Sequence, residues 1–394
     1  MSAQPDVVIL EDPRLRAGMR TLAAYCVAHL IIDLYSSAAG AFAPLLVDRL
    51  HFSIAQAGLL GGIMVFAGSF LQPAYGYLSD RFHSRLFSVL APAVAAIFIG
   101  SLGLAWNFAS AAGLIFLGGM GIASFHPQAT ARATLGIEKN RARWLAVFIS
   151  AGSVGLAIGP TYFTSLVQWL SMRRSYVAAL PGALMTLFLL FAIREPEREP
   201  SRKRFDFSAL RPVRKPLLIL CVLVMLRSGI QITFGQLLPL FLHRERGFTL
   251  LAASGALSAF QICGAIGGYL GGHTADRFGG KRVIQWSMLG SVPLLALFFF
   301  SHGAASMIGL TLGGLVLLFT VPVNVVMAQE LAPRHAGTVS ALMMGFAWGL
   351  AGLIFIPVIG WLSDRLTMQT TMSALIVFPL IGFFLTLKLP DAAK

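Results

Sequence analysis

The sequence predicts an all-α polytopic membrane protein, with twelve transmembrane helices in two pseudo-symmetric six-helix bundles. Three observations carry this reading. Of 394 residues, 57% are hydrophobic and only 12% charged, whereas a soluble domain carries about 25% charged residues and a globule of this size still needs a polar surface. The apolar residues fall into twelve runs, each near the length of about 20 residues that crosses a bilayer. A charged stretch, Gly76-Tyr77-Leu78-Ser79-Asp80-Arg81, returns 196 positions later as Gly272-His273-Thr274-Ala275-Asp276-Arg277, which predicts a duplicated architecture.

In chain order the runs cover roughly 19–46, 53–78, 86–106, 110–131, 144–169, 175–193, 217–242, 249–273, 283–302, 305–329, 337–361 and 370–389. Each is expected to be helical, because lipid offers backbone groups no hydrogen-bond partner. The first carries Asp33 and is too long for a cleaved signal peptide. Residues Arg194–Pro216 are charged, punctuated by proline and without apolar period, the pattern of a linker. They divide the chain into an N-terminal bundle (1–193), a cytoplasmic linker (194–216) and a C-terminal bundle (217–394), with Phe205–Leu210 expected as a short helix on the membrane surface. Proline landmarks repeat with the charged hairpins. Pro44 matches Pro239 and Pro127 matches Pro322 at an offset of 195, and Pro160 matches Pro357 at 197. Prolines inside spans predict kinks, here at the same places in two copies of one six-helix unit.

The net charge of +14 does not point to nucleic acid, because the basic residues sit at the ends of the apolar runs. With both termini in the cytoplasm, 23 of the 30 Lys and Arg fall on the cytoplasmic side and 6 on the outer side, leaving Arg227 inside a span. That is a positive-inside bias, and it predicts a multi-pass protein of the inner (cytoplasmic) membrane. The three cysteines, Cys26, Cys221 and Cys263, lie apart inside apolar runs, so neither a zinc site nor a disulfide framework is indicated. No metal and no cofactor are expected, and the chain is read as a monomer. A Gly-x-x-x-x-Gly-Lys-[Ser/Thr] loop is missing, which argues against ATP-driven transport within this chain.

The paired hairpins resemble the loop signature of the major facilitator superfamily. The second copy, continuing Gly279-Gly280-Lys281-Arg282, fits it well; the first departs at His83-Ser84 before Arg85. Within that superfamily, several stretches resemble the fosmidomycin-resistance-like exporters: His29-x-x-x-Asp33, Pro44-Leu45-Leu46, Gln72-Pro73, Phe125-His126-Pro127, Gln329-Glu330-Leu331 and Gly345-Phe346-Ala347-Trp348-Gly349. The resemblance covers nearly the whole chain. It implies two bundles around a central cavity with alternating access, and a substrate site at the midplane between them, as in repeat-built secondary transporters. It further implies gating roles for Gly76, Asp80, Arg81 and Arg85 and for Gly272, Asp276 and Arg277, with Asp80 contacting the start of the eleventh span near Gly337-Thr338, where a helix N-terminus favours negative charge. Asp364-Arg365 after Gly360 echoes the same pattern at the outer face. The fifth span, with Gly152, Gly155, Gly159 and Pro160, resembles the glycine-rich signature of drug/proton antiporters. Its glycines also lie along one helical face, which permits close packing.

The chemistry is expected at ionisable groups deep in the membrane. Asp33 is the only acidic residue near the middle of a span, and Arg227 the only deep basic one. An unpaired charge there costs at least about 2.5–3.5 kcal/mol on insertion scales, so both should face a cavity or a partner. The repeat aligns Arg227 with Ile32, beside Asp33, placing acid and base at similar depth in opposite halves. Asp33 is the candidate proton-coupling carboxylate, with His29 four residues earlier on the same helix face as its relay. Arg227 suits an anionic substrate, or else serves as a permanent counter-ion to Asp33. His126, Gln128 and Arg132 in the fourth span are further substrate-site candidates, with Gln72, Gln231, Gln236, Asn324 and Trp348. Together with the resemblance, which implies export, these residues lead to the expectation of proton-coupled export of small, anionic or amphipathic compounds such as drugs. A proton-coupled symporter importing an organic anion is the alternative, and a polytopic membrane enzyme using His29 and Asp33 is a remote third.

Overall fold

The computed structural model describes residues 13–82, 84–137, 141–193 and 207–390, apart from a few side chains at the helix ends. Among the described residues, twelve helices are long and apolar enough to cross a membrane: Leu15–Leu50 (α1), Ile54–Ser79 (α2), Leu86–Leu104 (α3), Phe108–Arg132 (α4), Trp144–Leu170 (α5), Met172–Ala192 (α6), Leu210–Arg244 (α7), Leu250–Phe278 (α8), Gly280–Phe300 (α9), Gly303–Leu331 (α10), Val339–Ser363 (α11) and Met368–Thr386 (α12). All twelve expected spans appear. The even number puts the start of α1 and the end of α12 at one face, here the terminal face; the opposite one is the distal face.

Two helix starts at the distal face carry reciprocal caps. Ser53 and Gln56 form a reciprocal capping box at α2, and Asn107 and Ser110 form another at α4. Such caps satisfy amide groups that the first turn leaves orphaned. Two arginines perform the converse task at helix C-termini. Arg49 donates to the Gly103 carbonyl behind α3, and Arg246 to the Ser301 carbonyl behind α9 at 2.8 Å. The same device thus appears in both halves.

Repeat landmarks meet each other in space. Gly76 lies against Pro127, where a Cβ would be 3.5 Å from the proline, and Gly272 against Pro322, at 3.7 Å. The matched glycines and prolines are therefore one helix contact, α2 on α4 and α8 on α10, built twice. One expectation needs correction. The charged hairpins are not loops up to the arginine: the helices continue through Asp80-Arg81 to Phe82 and through Asp276-Arg277 to Phe278. Each arginine then stacks over the following phenylalanine, at 5.9 Å in the first copy and 5.3 Å in the second. The second turn is made at Gly279, whose φ of 88° favours glycine.

The two halves pack mainly through α2 against α11, α5 against α8, and the distal part of α1 against α7. Small residues allow this. A Cβ on Gly40 of α1 would overlap the Gly235 carbonyl of α7. Both α2 and α11 contain a π-helical turn, Phe66–Phe70 and Leu342–Ala347, a feature frequent at functional sites. Most of the linker, residues 194–206, lies outside the described residues; Phe207–Val213 form a 3₁₀ turn leading into α7.

Candidate functional site: a carboxylate between two imidazoles

Asp33 sits midway along α1 and is 8% exposed. Its carboxylate meets two imidazoles: His29 Nε2 is 3.3 Å from Oδ2, and His126 Nε2 of α4 is 3.4 Å from Oδ1. The Ser36 hydroxyl donates to Oδ1 at 3.4 Å. Helical spacing brings His29 and Ser36 to the acid, whereas His126 arrives from another helix, immediately before the α4 proline, Pro127. The three ligand atoms lie within 4.8 Å of one another. Two imidazoles and a carboxylate at these distances can share protons among themselves.

The wall behind this cluster is α5. His29 Nδ1 is 2.8 Å from the Phe148 carbonyl, and its ring stacks on the Phe148 ring with centroids 4.3 Å apart. A Cβ on Gly152 would overlap Asp33 Oδ2 and lie 2.5 Å from His29 Nε2. Gly155 and Gly159 continue the contact against the Leu30 carbonyl and the Ser37 hydroxyl. The glycine face predicts close packing, and its partner proves to be the segment of α1 that carries His29 and Asp33.

Arg227 of α7 is 5% exposed. Its terminal nitrogen donates to Gln231 Oε1 at 2.5 Å, while Nε has no hydrogen-bond partner. No ion pair within 4 Å joins it to Asp33, so the expected acid–base pair is not formed in this conformation. Similar depth in two halves does not fix their separation, and Asp33 is served from its own half instead. Gln128 departs from expectation too. Its Oε1 accepts from the Ser88 amide at 2.9 Å and hydroxyl at 2.6 Å, and its Nε2 donates to the Ser84 carbonyl at 2.8 Å. It ties α4 to the α2–α3 turn and has little left for a ligand.

The other candidates divide. Gln72 donates to the Gly68 carbonyl at 3.0 Å inside the π turn of α2. Gln236 lies at the crossing of α7 with Gly61 of α2, and its carbonyl oxygen is unpartnered. Asn324 of α10 is 0% exposed, with neither amide atom hydrogen-bonded. Arg132 has one buried terminal nitrogen without a hydrogen-bond partner. Trp348 follows the π turn of α11 and packs on the hydrophobic core.

A set of hydrogen bonds and ion pairs joins the halves toward the distal face. Thr161 and Thr164 of α5 meet Ser258 and Ser254 of α8, each at 2.6 Å. Arg244 reaches Asp48 at 2.9 Å, with His243 3.6 Å from the same carboxylate. Asp364 Oδ1 and Oδ2 accept from the amides of Ile54 and Ala55 at 2.8 and 2.9 Å. A carboxylate at the end of α11 thus caps the start of α2 in the other half. The corresponding contact expected at the terminal face, Asp80 with Gly337-Thr338, falls on side chains outside those described. Arg85 is described, and donates to the Leu190 carbonyl at 3.0 Å and to that of Ile193, tying the first hairpin to the end of α6.

Twelve spans, two copies of one helical unit, and a titratable cluster between helices define a membrane transporter. The chain belongs to the major facilitator superfamily, whose family profile matches residues 25–356. It is 27% identical over 380 residues to the uncharacterized MFS-type transporter YfnC of Bacillus subtilis, covering 93% of this chain and 92% of that one. It is 25% identical over 407 residues to the fosmidomycin resistance protein of Escherichia coli, covering 99% and 98%. Its fold matches a bacterial homologue of the human lysosomal transporter Spinster with a TM-score of 0.80 at 15% identity, over 94% of this chain and 96% of that one. The protein is therefore a multi-pass membrane transporter of small molecules, and its family consists of transporters rather than enzymes.

Proposed function

We propose that the protein is a proton-coupled exporter of small, anionic or amphipathic compounds, working by alternating access between bundles 1–193 and 217–394. One observation carries this reading. The lone deep acid, Asp33, faces two imidazoles and no fixed guanidinium. A guanidinium is permanently charged, whereas an imidazole changes charge near neutral pH, so this cluster can load and release protons during a cycle. The positive-inside bias supports a terminal face on the cytoplasmic side of an inner membrane. The distal seal then closes the outer side. Export is supported by the antiporter-like glycine face of α5 and by similarity to a protein named for fosmidomycin resistance. In proteoliposomes, an imposed pH gradient should drive transport by the native protein and not by Asp33→Asn; retained coupling in the variant would overturn the proposal.

A second reading, proton-coupled import of an organic anion, draws on Arg227. Its guanidinium is buried, unpaired with Asp33 and bound only to Gln231 among the described hydrogen bonds, which leaves it suited to an anion. Counterflow under pH gradients of both signs distinguishes the readings. Accumulation of the compound on the acidic side marks exchange, and accumulation on the alkaline side marks symport.

A further inference from the structure

We propose that α5 sets the protonation of the coupling pair. Phe148 and Gly152 act as positioning residues that keep one proton between His29 and Asp33 for as long as α5 lies against α1. This rests on the proposed role of Asp33 in proton coupling, and it assigns that proton a place and a release mechanism.

Hydrogen-bond chemistry locates the proton. A carbonyl oxygen only accepts, so the 2.8 Å contact with the Phe148 carbonyl makes His29 Nδ1 the donor. The other ring nitrogen, Nε2, faces the Asp33 carboxylate at 3.3 Å. In a neutral imidazole that nitrogen carries a lone pair, which would oppose an anionic oxygen. Two arrangements relieve the conflict: an imidazolium donating to the carboxylate, or a carboxylic acid donating to Nε2. Both hold one proton more than a neutral histidine beside an ionised aspartate. His126 makes no such demand, because its neutral Nε2–H tautomer can donate to Oδ1. Ser36 also donates to Oδ1, α5 contributes no charged group at the cluster, and Arg227 of α7 forms no ion pair with Asp33.

Gly152 holds the contact closed. Its missing Cβ lets the α5 backbone take the space beside Asp33 Oδ2 and His29 Nε2, space that water would otherwise occupy. Further along, the same helix carries Thr161 and Thr164, bonded to Ser258 and Ser254 of the other half. Those positions are 9 and 12 residues beyond Gly152, roughly 14–18 Å along a helix, with Gly159-Pro160 between. One helix therefore touches the coupling pair at one end and the seam between the halves at the other. A shift of α5 as the halves rearrange moves the Phe148 carbonyl away from Nδ1. His29 is then free to become an ordinary neutral imidazole, and the proton leaves to water.

The test is a pH titration of the reconstituted protein by infrared difference spectroscopy, following the carboxyl band that Asp33→Asn removes. Gly152→Ala should shift its midpoint at least about one unit downward, a tenfold loss of proton affinity. Gly309→Ala, which meets the Phe298 amide and Leu294 carbonyl of α9 in the other half instead of the pair, should lower thermal stability without moving the midpoint. Equal shifts in the two variants, or no shift in a folded Gly152→Ala protein, would overturn the proposal. Should Gly152→Ala not fold, His29→Asn serves: its amide can still donate to Phe148 but has no Nε2, so the midpoint must move, and a stationary one overturns the proposal. A spectrum with no Asp33-dependent band would instead remove the coupling role itself, and this inference with it.

Discussion

At the scale of residues, the cluster around Asp33 shows what a single chain sequence reveals and what it hides. Asp33 and His29 are legible because a four-residue spacing on a helix is a spatial statement. His126 is legible as a deep imidazole but not as a partner, since its contact depends on how α4 lies against α1. The Phe148 carbonyl leaves no trace in sequence at all, being a backbone group. Gln128 is misleading for the opposite reason: a polar side chain beside a proline suggests a cavity, while its hydrogen bonds go to Ser84 in the α2–α3 turn and Ser88 of α3. Arg227 makes the clearest energetic prediction. A buried charge with an unpartnered Nε contributes little to folding and is costly to hold in a membrane. Arg227→Met should therefore leave the melting temperature unchanged or raised, while abolishing stabilisation by anionic compounds in a thermal-shift screen. A fall of several kcal/mol in stability would mark Arg227 as structural instead.

At the scale of elements, the paired helices α2 and α11 deserve the same weight as the cluster. Each has a π turn, at mid-length in α2 and near the start of α11, and they are joined at the distal end by Asp364 on the Ile54 and Ala55 amides. The sequence signals this contact as an echo, Gly360-x-x-x-Asp364-Arg365, of the two charged repeats; the target amides are invisible because they lie 310 and 309 residues away. Loss of a cap costs roughly 0.5–2 kcal/mol, enough to shift a two-state equilibrium about 2- to 30-fold. Asp364→Ala should accordingly raise the population open at the distal face, read as longer distances between spin labels at the distal ends of α2 and α11. An unchanged distance distribution would show that the cap holds helix ends without gating. The π turns themselves escape sequence reading, since they insert one residue into an otherwise ordinary apolar helix.

At the scale of the whole molecule, the architecture is almost wholly legible. Hydropathy sets the number of spans, and the repeated Gly, Asp, Arg and Pro positions set the two-fold duplication, because lipid leaves the backbone no alternative to helices. The relation between the halves is not legible. The repeat places Arg227 and Asp33 at one depth, yet a carrier whose halves move need not bring them together, and here they do not pair. The same reasoning predicts that the distal contacts act together. Disrupting the hydroxyl pairs with Thr161→Val and Thr164→Val should favour the same open population as Asp364→Ala, and the triple variant should exceed either alone in the spin-label measurement. The central claim, that a proton moves through the Asp33 cluster in step with a small molecule, is tested most directly by flux. Proteoliposomes holding the purified native protein or Asp33→Asn are given a pH gradient, and uptake of candidate anionic and amphipathic compounds is followed. Gradient-driven accumulation that is lost in Asp33→Asn, while exchange without a gradient persists, is the predicted result; equal gradient-driven accumulation by both proteins would contradict it.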